Sequence, residues 1–107
     1  MEKNTHANCP VATTLKLLSN KWKILIIREL LNDTKRYGEL KRNIEGISEK
    51  MLSQSLKEME NDKLIIRKVY AEVPPRVEYS LSEIGKTLKP IIDSMKLWGI
   101  EYQSKLS

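Results

Sequence analysis

The chain has 107 residues and a mass of 12.4 kDa, the size of a single domain. Charged residues make up 31% and hydrophobic residues 40%, proportions that exclude both a disordered chain and a membrane-embedded one. The longest apolar run covers only residues 24–27, far below the ~20 residues that a membrane span needs. Residues 1–10 contain no apolar segment typical of a signal peptide, so we expect a cytoplasmic protein.

The formal net charge of +5 and the pI near 9.4 favour a polyanionic partner such as nucleic acid. The sequence contains few candidates for catalytic residues, because His6 is the only histidine and no glycine-rich phosphate loop is visible. His6 and Cys9 form half of a metal-site pattern with no second half. We therefore expect no enzyme activity, no cofactor and no metal site.

In chain order, the first part of the sequence predicts four helices. Residues 10–19 begin with a proline, which is tolerated at the first helical position, and continue with apolar residues at helical spacing. Residues 22–31 are apolar on nearly all sides, as in a helix at the centre of a core. Residues 37–44 form a short third helix, and a fourth begins after Ser48, a good N-cap, and ends at residues 61–62.

The second part predicts a β-hairpin followed by a long helix. Residues 64–73 are rich in β-branched side chains and residues 77–81 return, because two prolines between them cannot continue a strand. Residues 82–106 form the last helix, whose apolar positions recur every three or four residues as in a coiled coil, with a local kink expected at Pro90. This order of elements predicts a mainly α (α+β) winged helix-turn-helix with an added C-terminal helix, filling one domain over residues 1–107 with residues 1–8 flexible.

Five short strings carry a resemblance to a known family. They are CPV at 9–11, KWK at 21–23, YGEL at 37–40, GISEKML at 46–52 and VPPRVEYSL at 73–81. In this order, over residues 9–99, they resemble the HxlR-type branch of bacterial winged-helix transcription regulators, which are relatives of the MarR group. The resemblance implies a homodimer that binds operator DNA near a promoter, and such DNA binding would associate a bacterial cytoplasmic protein with the nucleoid.

The fourth helix and the hairpin, or wing, supply the candidate DNA-binding residues. Gln54 can bond the edge of an adenine, Lys50 can reach guanine acceptors, and Ser48 with the free N–H groups of the helix start can hold a phosphate. Arg76 follows two prolines at the tip of the wing and is a candidate for a phosphate or minor-groove contact. The full set of DNA-binding candidates is Ser48, Lys50, Ser53, Gln54, Lys57, Arg67, Lys68 and Arg76, and residues 36, 41 and 42 are further backbone-contact candidates.

The apolar seam of the last helix either packs on its own domain or meets a second copy of the chain. We expect it to form a dimer interface, helped by the first helix. The candidate interface residues are Leu88, Ile91, Met95, Trp98 and Tyr102.

Cys9 has two open interpretations. It precedes Pro10 at the start of the first helix, where the helix dipole stabilises a thiolate, so it is a candidate sensor of oxidants or electrophiles. The resemblance agrees, since some members of the family sense such compounds through a cysteine at this position. Alternatively, Cys9 is a small buried residue that packs the dimer seam. Because the chain has one cysteine, any disulfide must join two chains or a small thiol.

The leading functional hypothesis is a homodimeric, sequence-specific regulator of transcription that binds a palindromic operator in double-stranded DNA, with an unknown small-molecule or redox effector. The alternative is a winged-helix module that binds another protein and not DNA. Winged helices serve both uses, so the fold alone does not decide between them.

Overall fold

The computed structural model describes residues 9–106, which form six helices and one three-stranded antiparallel sheet. In chain order the elements are α1 (Pro10–Leu17), α2 (Lys21–Asn32), β1 (Lys35–Arg36), α3 (Tyr37–Asn43), α4 (Glu49–Asn61), β2 (Ile65–Tyr70), β3 (Arg76–Leu81), α5 (Glu83–Lys86) and α6 (Lys89–Leu106). The predicted winged helix-turn-helix is confirmed.

Local side-chain chemistry sets the helix boundaries. Asn20 begins α2 by accepting a hydrogen bond from the backbone N–H of Lys23 at 3.0 Å, and Ser48 begins α4 in the same way through Met51. Between α3 and α4, Gly46 makes the turn with a φ of 86°, a conformation that glycine adopts without strain. The predicted first helix ends two residues early, because the backbone N–H of Leu18 closes the last turn on the carbonyl of Thr14.

The end of α4 is a Schellman motif. The N–H of Leu64 bonds the carbonyl of Met59, and the N–H of Lys63 bonds the carbonyl of Glu60. Lys63 therefore lies in the left-handed region with a φ of 68°. This motif turns the chain sharply from the fourth helix into the wing.

The sheet has one strand more than the sequence predicts. Its order is β1-β3-β2, with Lys35 opposite Tyr79 and Ile65 opposite Leu81. Residues 35–36 have no strand pattern of their own, since two residues are too few to show alternation. They become a strand because β3 offers an edge to them.

The first strand of the wing is shorter than predicted. The prediction extended this strand to residue 73, but β2 ends at Tyr70 because the N–H of Glu72 bonds the carbonyl of Tyr70 in a tight turn. Pro74 and Pro75 lie between the strands, as predicted, and the peptide bond between Val73 and Pro74 is cis.

The single long helix predicted over residues 82–106 is wrong in detail, because the structure divides it into α5 and α6. The break covers Thr87 and Leu88, because Pro90 has no N–H to bond the carbonyl of Lys86 and is instead accommodated in the first turn of a new helix. The short α5 packs close to the chain entering the wing, where a Cβ on Gly85 would lie 2.1 Å from the carbonyl oxygen of Leu64. Only glycine allows this approach.

The core lies between α2, α3, α4 and the base of the wing. Helix α2 runs through its centre, and α6 contributes Ile92 while the rest of α6 extends outward. The buried apolar residues include Ile26, Ile27, Leu30, Leu40, Ile44, Ile47, Leu52, Leu56, Met59, Leu64, Ile65, Tyr79, Leu81 and Ile92.

None of the helices in residues 9–106 combines the length and the apolar character that crossing a lipid bilayer requires. The predicted flexibility of residues 1–8 and the position of His6 lie outside the described residues.

Candidate nucleic-acid interface

Helix α4 has one buried face and one polar face. Leu52, Leu56 and Met59 anchor it in the core, together with the buried Ser55. Because α4 is the second helix of the helix-turn-helix, its outer face is the one that can enter a major groove. The five candidates on that face are all exposed, as predicted: Ser48, Lys50, Ser53, Gln54 and Lys57.

Two of the serines already make contacts that position α4. Ser48 uses its oxygen to cap the helix, which leaves its hydroxyl proton available to a phosphate. Ser53 shares a 3.1 Å hydrogen bond with the hydroxyl of Tyr37, which also donates to the backbone carbonyl of Glu49 at 3.2 Å. Tyr37 therefore joins α3 to the first turns of α4 and holds the two helices of the motif at a fixed angle.

A buried lysine behind α4 was not among the predicted site residues. Lys23 is 3% exposed, and its ammonium lies 2.7 Å from Oε1 of Glu58 and donates to Ser19 Oγ at 3.3 Å. The other carboxylate oxygen, Oε2, accepts from the side-chain amide of Gln54 at 3.1 Å. The hydrogen bond from Lys23, reinforced by the one from Gln54, holds the pKa of Glu58 below its ordinary value of 4.5.

This ion pair changes the expected electrostatics of the surface. Glu58 lies on α4 close to the polar face, where an unpaired carboxylate would repel DNA phosphates. In the structure, the buried ammonium of Lys23 pairs with this carboxylate and offsets its negative charge. The one sequence signal for this arrangement was a lysine in a helix that is otherwise apolar on nearly all sides.

The cationic side chains of α4 and the wing differ in whether another group already pairs with them. Lys50, Lys57 and Arg67 are exposed and make no ion pair within residues 9–106. Arg67 lies opposite Tyr79 in the sheet and shares a cleft with Ser53 and Lys57, which brings the wing and α4 into one surface. Lys68 lies over the ring of Tyr70 at 4.8 Å.

Arg76 is held more firmly than its place at the wing tip suggested. Its side chain is 28% exposed and lies between two carboxylates, 3.2 Å from Glu72 and 3.5 Å from Glu78. Its guanidinium also covers the ring of Tyr70 at 3.9 Å. These contacts stabilise the turn of the wing, and they offset the charge that Arg76 could offer to a phosphate.

Helices α1 and α6 each carry exposed apolar side chains. On α6, Trp98 is 66% exposed and its ring stacks on Tyr102 with centroids 5.0 Å apart. Leu88, one of the predicted interface residues, is instead half-buried against its own core. The exposed apolar residues also extend beyond the predicted seam. They are Val11 and Leu15 on α1, and Ile91, Met95, Leu97, Trp98, Ile100, Tyr102 and Leu106 on α6.

Cys9 lies at the N-cap of α1, close in sequence to the exposed apolar residues of that helix, and its thiol is exposed. Its backbone carbonyl accepts the first hydrogen bond of the helix, from Thr13 at 2.9 Å. Cys9 is thus exposed among residues 9–106, and its packing in a dimer seam stays a prediction.

The winged helix-turn-helix, with an exposed polar face on its second helix, is the architecture of DNA-binding transcription regulators. The profile described as HxlR-like helix-turn-helix matches residues 17–107, and the chain belongs to this family. It is thus a DNA-binding regulator of transcription with an HxlR-type winged helix, as the sequence strings suggested.

Similar proteins agree on the class. The HTH-type transcriptional regulator YdeP of Bacillus subtilis (strain 168) is 44% identical over 98 residues, which cover 92% of this chain and 77% of YdeP. A crystal structure described as a MarR-family transcriptional regulator, from Porphyromonas gingivalis W83, has a TM-score of 0.83 and 49% identity, and the match covers 87% and 91% of the two chains. The redox regulator HypR in its reduced form has a TM-score of 0.86 and 41% identity, with 92% and 97% covered.

Proposed function

We propose that this protein acts in the cytoplasm as a homodimer that binds a palindromic operator in double-stranded DNA. One observation carries the proposal. The outer face of α4 presents Gln54 between Lys50 and Lys57, two cations that form no ion pair within residues 9–106, and Arg67 of the wing lies beside it. A face with one base-reading amide and flanking charges suits a major groove bordered by phosphates.

The exposed apolar side chains of α6 support the dimer. Monomeric proteins rarely leave so many large apolar side chains exposed on the surface of one helix. A second copy of the chain could cover this surface by a twofold axis, which would present one α4 to each half of a palindrome. The interface would use Ile91, Met95, Trp98 and Tyr102, with Leu88 acting within each protomer.

The residues that we propose for DNA contact divide by role. Gln54 reads a base, and Ser48 and Ser53 position the helix start against the backbone. Lys50 is a candidate both for reading a guanine and for contacting the DNA backbone. Lys57, Arg67 and Lys68 grip phosphates. Arg76 reaches DNA only if it leaves its contacts with Glu72 and Glu78.

The first experiment is selection of bound duplexes from a random pool, followed by titration of the binding constant with salt. We expect two inverted half-sites separated by roughly 10–10.5 bp or a multiple of it. The logarithm of the binding constant should fall with the logarithm of the salt concentration, with a slope near −0.9 per phosphate contacted. Selection of unrelated sequences with salt-insensitive binding would instead favour the protein-interaction module.

A matched set of variants then separates base reading from grip. Gln54→Ala should weaken the selected operator by about 1–3 kcal/mol and relax one base position. Arg67→Ala should weaken all sequences and reduce the salt slope by about one contact per subunit. Arg76→Ala should change the slope less than Arg67→Ala, because two carboxylates already neutralise it. Equal profiles for Gln54→Ala and Arg67→Ala on operator and random DNA would contradict the division of roles.

Cys9 is a candidate input to this regulator. Its exposed thiol at the start of α1 lies on the helix that we place in the dimer interface, and the similar protein HypR is described as a redox regulator. We propose that oxidation of Cys9, or its reaction with an electrophile, alters the interface and therefore the binding of DNA. A disulfide would have to join Cys9 to its counterpart in the second protomer or to a small thiol.

A further inference from the structure

The interaction of Lys23, Glu58 and Gln54 connects the core to the base-reading face. The ammonium of Lys23 is buried, and a buried charge is costly unless it is paired. Glu58 supplies the pair at 2.7 Å and Ser19 accepts a further hydrogen bond. The position of the Glu58 carboxylate is therefore fixed by an anchor inside the domain, although 43% of its side chain remains exposed.

This fixed carboxylate also determines the orientation of the Gln54 amide. Gln54 lies one helical turn before Glu58, and the two side chains are joined by a hydrogen bond of 3.1 Å. An ionised carboxylate can only accept hydrogen bonds, so the NH2 end of the amide must face Glu58 and the carbonyl end must face away from it. Glu58 is ionised at neutral pH even at its ordinary pKa of 4.5, and the hydrogen bond from Lys23 lowers that pKa further.

The remaining hydrogen-bonding groups of Gln54 match one base. With one N–H bonded to Glu58, Gln54 has its carbonyl oxygen and its second N–H available. Adenine presents the complementary pair in the major groove, a donor at N6 and an acceptor at N7. If the amide were rotated by half a turn, the two groups would exchange places and the match would be lost.

We infer that Lys23 and Glu58 are positioning residues that hold the Gln54 amide in the orientation that recognises adenine, and thereby set the base preference of α4. The inference rests on the proposed function, in which α4 enters the major groove. It assigns a role in specificity to two residues that need not touch DNA. It also explains why a carboxylate is present on a face that must approach phosphates.

The key variant is Glu58→Gln. The introduced amide accepts from Lys23 with its oxygen, so its own NH2 end faces Gln54 and requires the Gln54 amide to turn over. Glu60→Gln is the matched control, because it removes the same charge from the same helix and from the cleft lined by Lys57 and Arg67, while Glu60 makes no hydrogen bond to Gln54 within residues 9–106. Thermal unfolding of both variants checks that the fold is retained.

The measurement is the dissociation constant for the selected operator and for the three other bases at the position that Gln54→Ala relaxes. We expect the wild type and Glu60→Gln to prefer adenine there by about 5- to 150-fold. Glu58→Gln should lose this preference, while its affinity for random DNA stays equal or rises, because a negative charge has been removed from the surface. A purely structural role of the ion pair would weaken binding to all sequences alike.

The double variant Gln54→Ala, Glu58→Gln tests whether Glu58 acts through Gln54. On the Gln54→Ala background, Glu58→Gln should leave the base preference unchanged. The inference is overturned if Glu58→Gln alone keeps the wild-type preference, or if it changes the preference when Gln54 is absent. A wild type with no base preference and no salt dependence would overturn the proposed function itself, and the inference with it.

A spectroscopic measurement on the free protein tests the anchor independently of DNA. The side-chain amide signals of Gln54 in nitrogen–proton spectra should titrate with Glu58, with a midpoint below 4.5. In Lys23→Met the midpoint should move upward, because the main cause of the lowered pKa has been removed. Signals of Gln54 that do not respond to pH would overturn the inference.

Discussion

The replacement Trp98→Ala tests the proposed dimer through the largest exposed side chain of α6. Trp98 is 66% exposed, and within the protomer its main contact is the stacked ring of Tyr102. The fold of the single chain should therefore lose little, about 0.5–1.5 kcal/mol for the aromatic pair. Association of two chains should lose far more, because the exposed part of the ring would lie in the interface.

The magnitude follows from the exposed area. A tryptophan side chain presents roughly 250 Å², so an exposed fraction near two thirds is about 165 Å², and complete coverage would contribute about 4 kcal/mol. A twofold interface contains the residue twice, so the upper limit is about 8 kcal/mol per dimer. Coverage of half the area would still give about 4 kcal/mol, which weakens association by roughly a thousandfold.

The assay is sedimentation of the wild type and the variant across a dilution series. The wild type should remain dimeric to much lower concentration than Trp98→Ala, and the variant should also lose affinity for the operator. Ser104→Ala is the control, since it removes a small exposed polar group from the same helix. Met95→Asp should give an even larger shift to monomer, because a charge would have to be desolvated at the interface.

Two results would refute the argument. A Trp98→Ala variant that dimerises within tenfold of the wild type would show that this face is not the interface. A wild type that is monomeric at all concentrations, yet binds a palindromic operator normally, would show that the dimer is not needed.

Three further outcomes follow from the structure. The pKa of Glu58 is lower in the folded chain than its ordinary 4.5, so the stability that its pair with Lys23 contributes is present above pH 4.5 and is lost as the pH falls through the folded pKa. In urea denaturation at several pH values, the unfolding free energy of Glu58→Gln should lack this pH-dependent component. Gly85→Ala should destabilise the protein by about 1–3 kcal/mol or more in the same assay, because its Cβ would meet the carbonyl oxygen of Leu64, while Gly38→Ala, with only an ordinary contact, should cost little. If Cys9 is the sensor, a mild oxidant should reduce operator affinity of the wild type and leave Cys9→Ser unaffected; unchanged affinity in a wild type whose thiol has been modified would rule this out.

Much of the fold could be predicted because its boundaries are set within a few residues of sequence. Asn20 and Ser48 cap their helices by accepting hydrogen bonds from the backbone N–H groups three residues later. The two prolines of the wing cannot continue a strand and require a turn before the second strand. The polar face of α4 follows in the same way, since Leu52 and Leu56 determine which side is buried. These signals act locally and need no knowledge of the rest of the chain.

Other features depend on which distant segments meet, and the sequence contains no local signal for them. Residues 35–36 become a strand because β3 provides hydrogen-bonding partners, and α5 joins the entry of the wing through the close approach of Gly85 to the carbonyl oxygen of Leu64. The width of the exposed apolar surface was also underestimated, because the heptad pattern describes a seam and the structure exposes residues on both sides of it.

The sequence by itself therefore determined the order of the larger elements, the class of fold and the exposed polar face of α4, because helical periodicity and capping are properties of neighbouring residues. Only the tertiary structure decided which charged side chains of α4 and the wing are paired. It pairs the buried Lys23 with Glu58, and it holds Arg76 between two carboxylates. The strength of such pairs depends on distance and burial in three dimensions, which the spacing of residues along the chain does not specify.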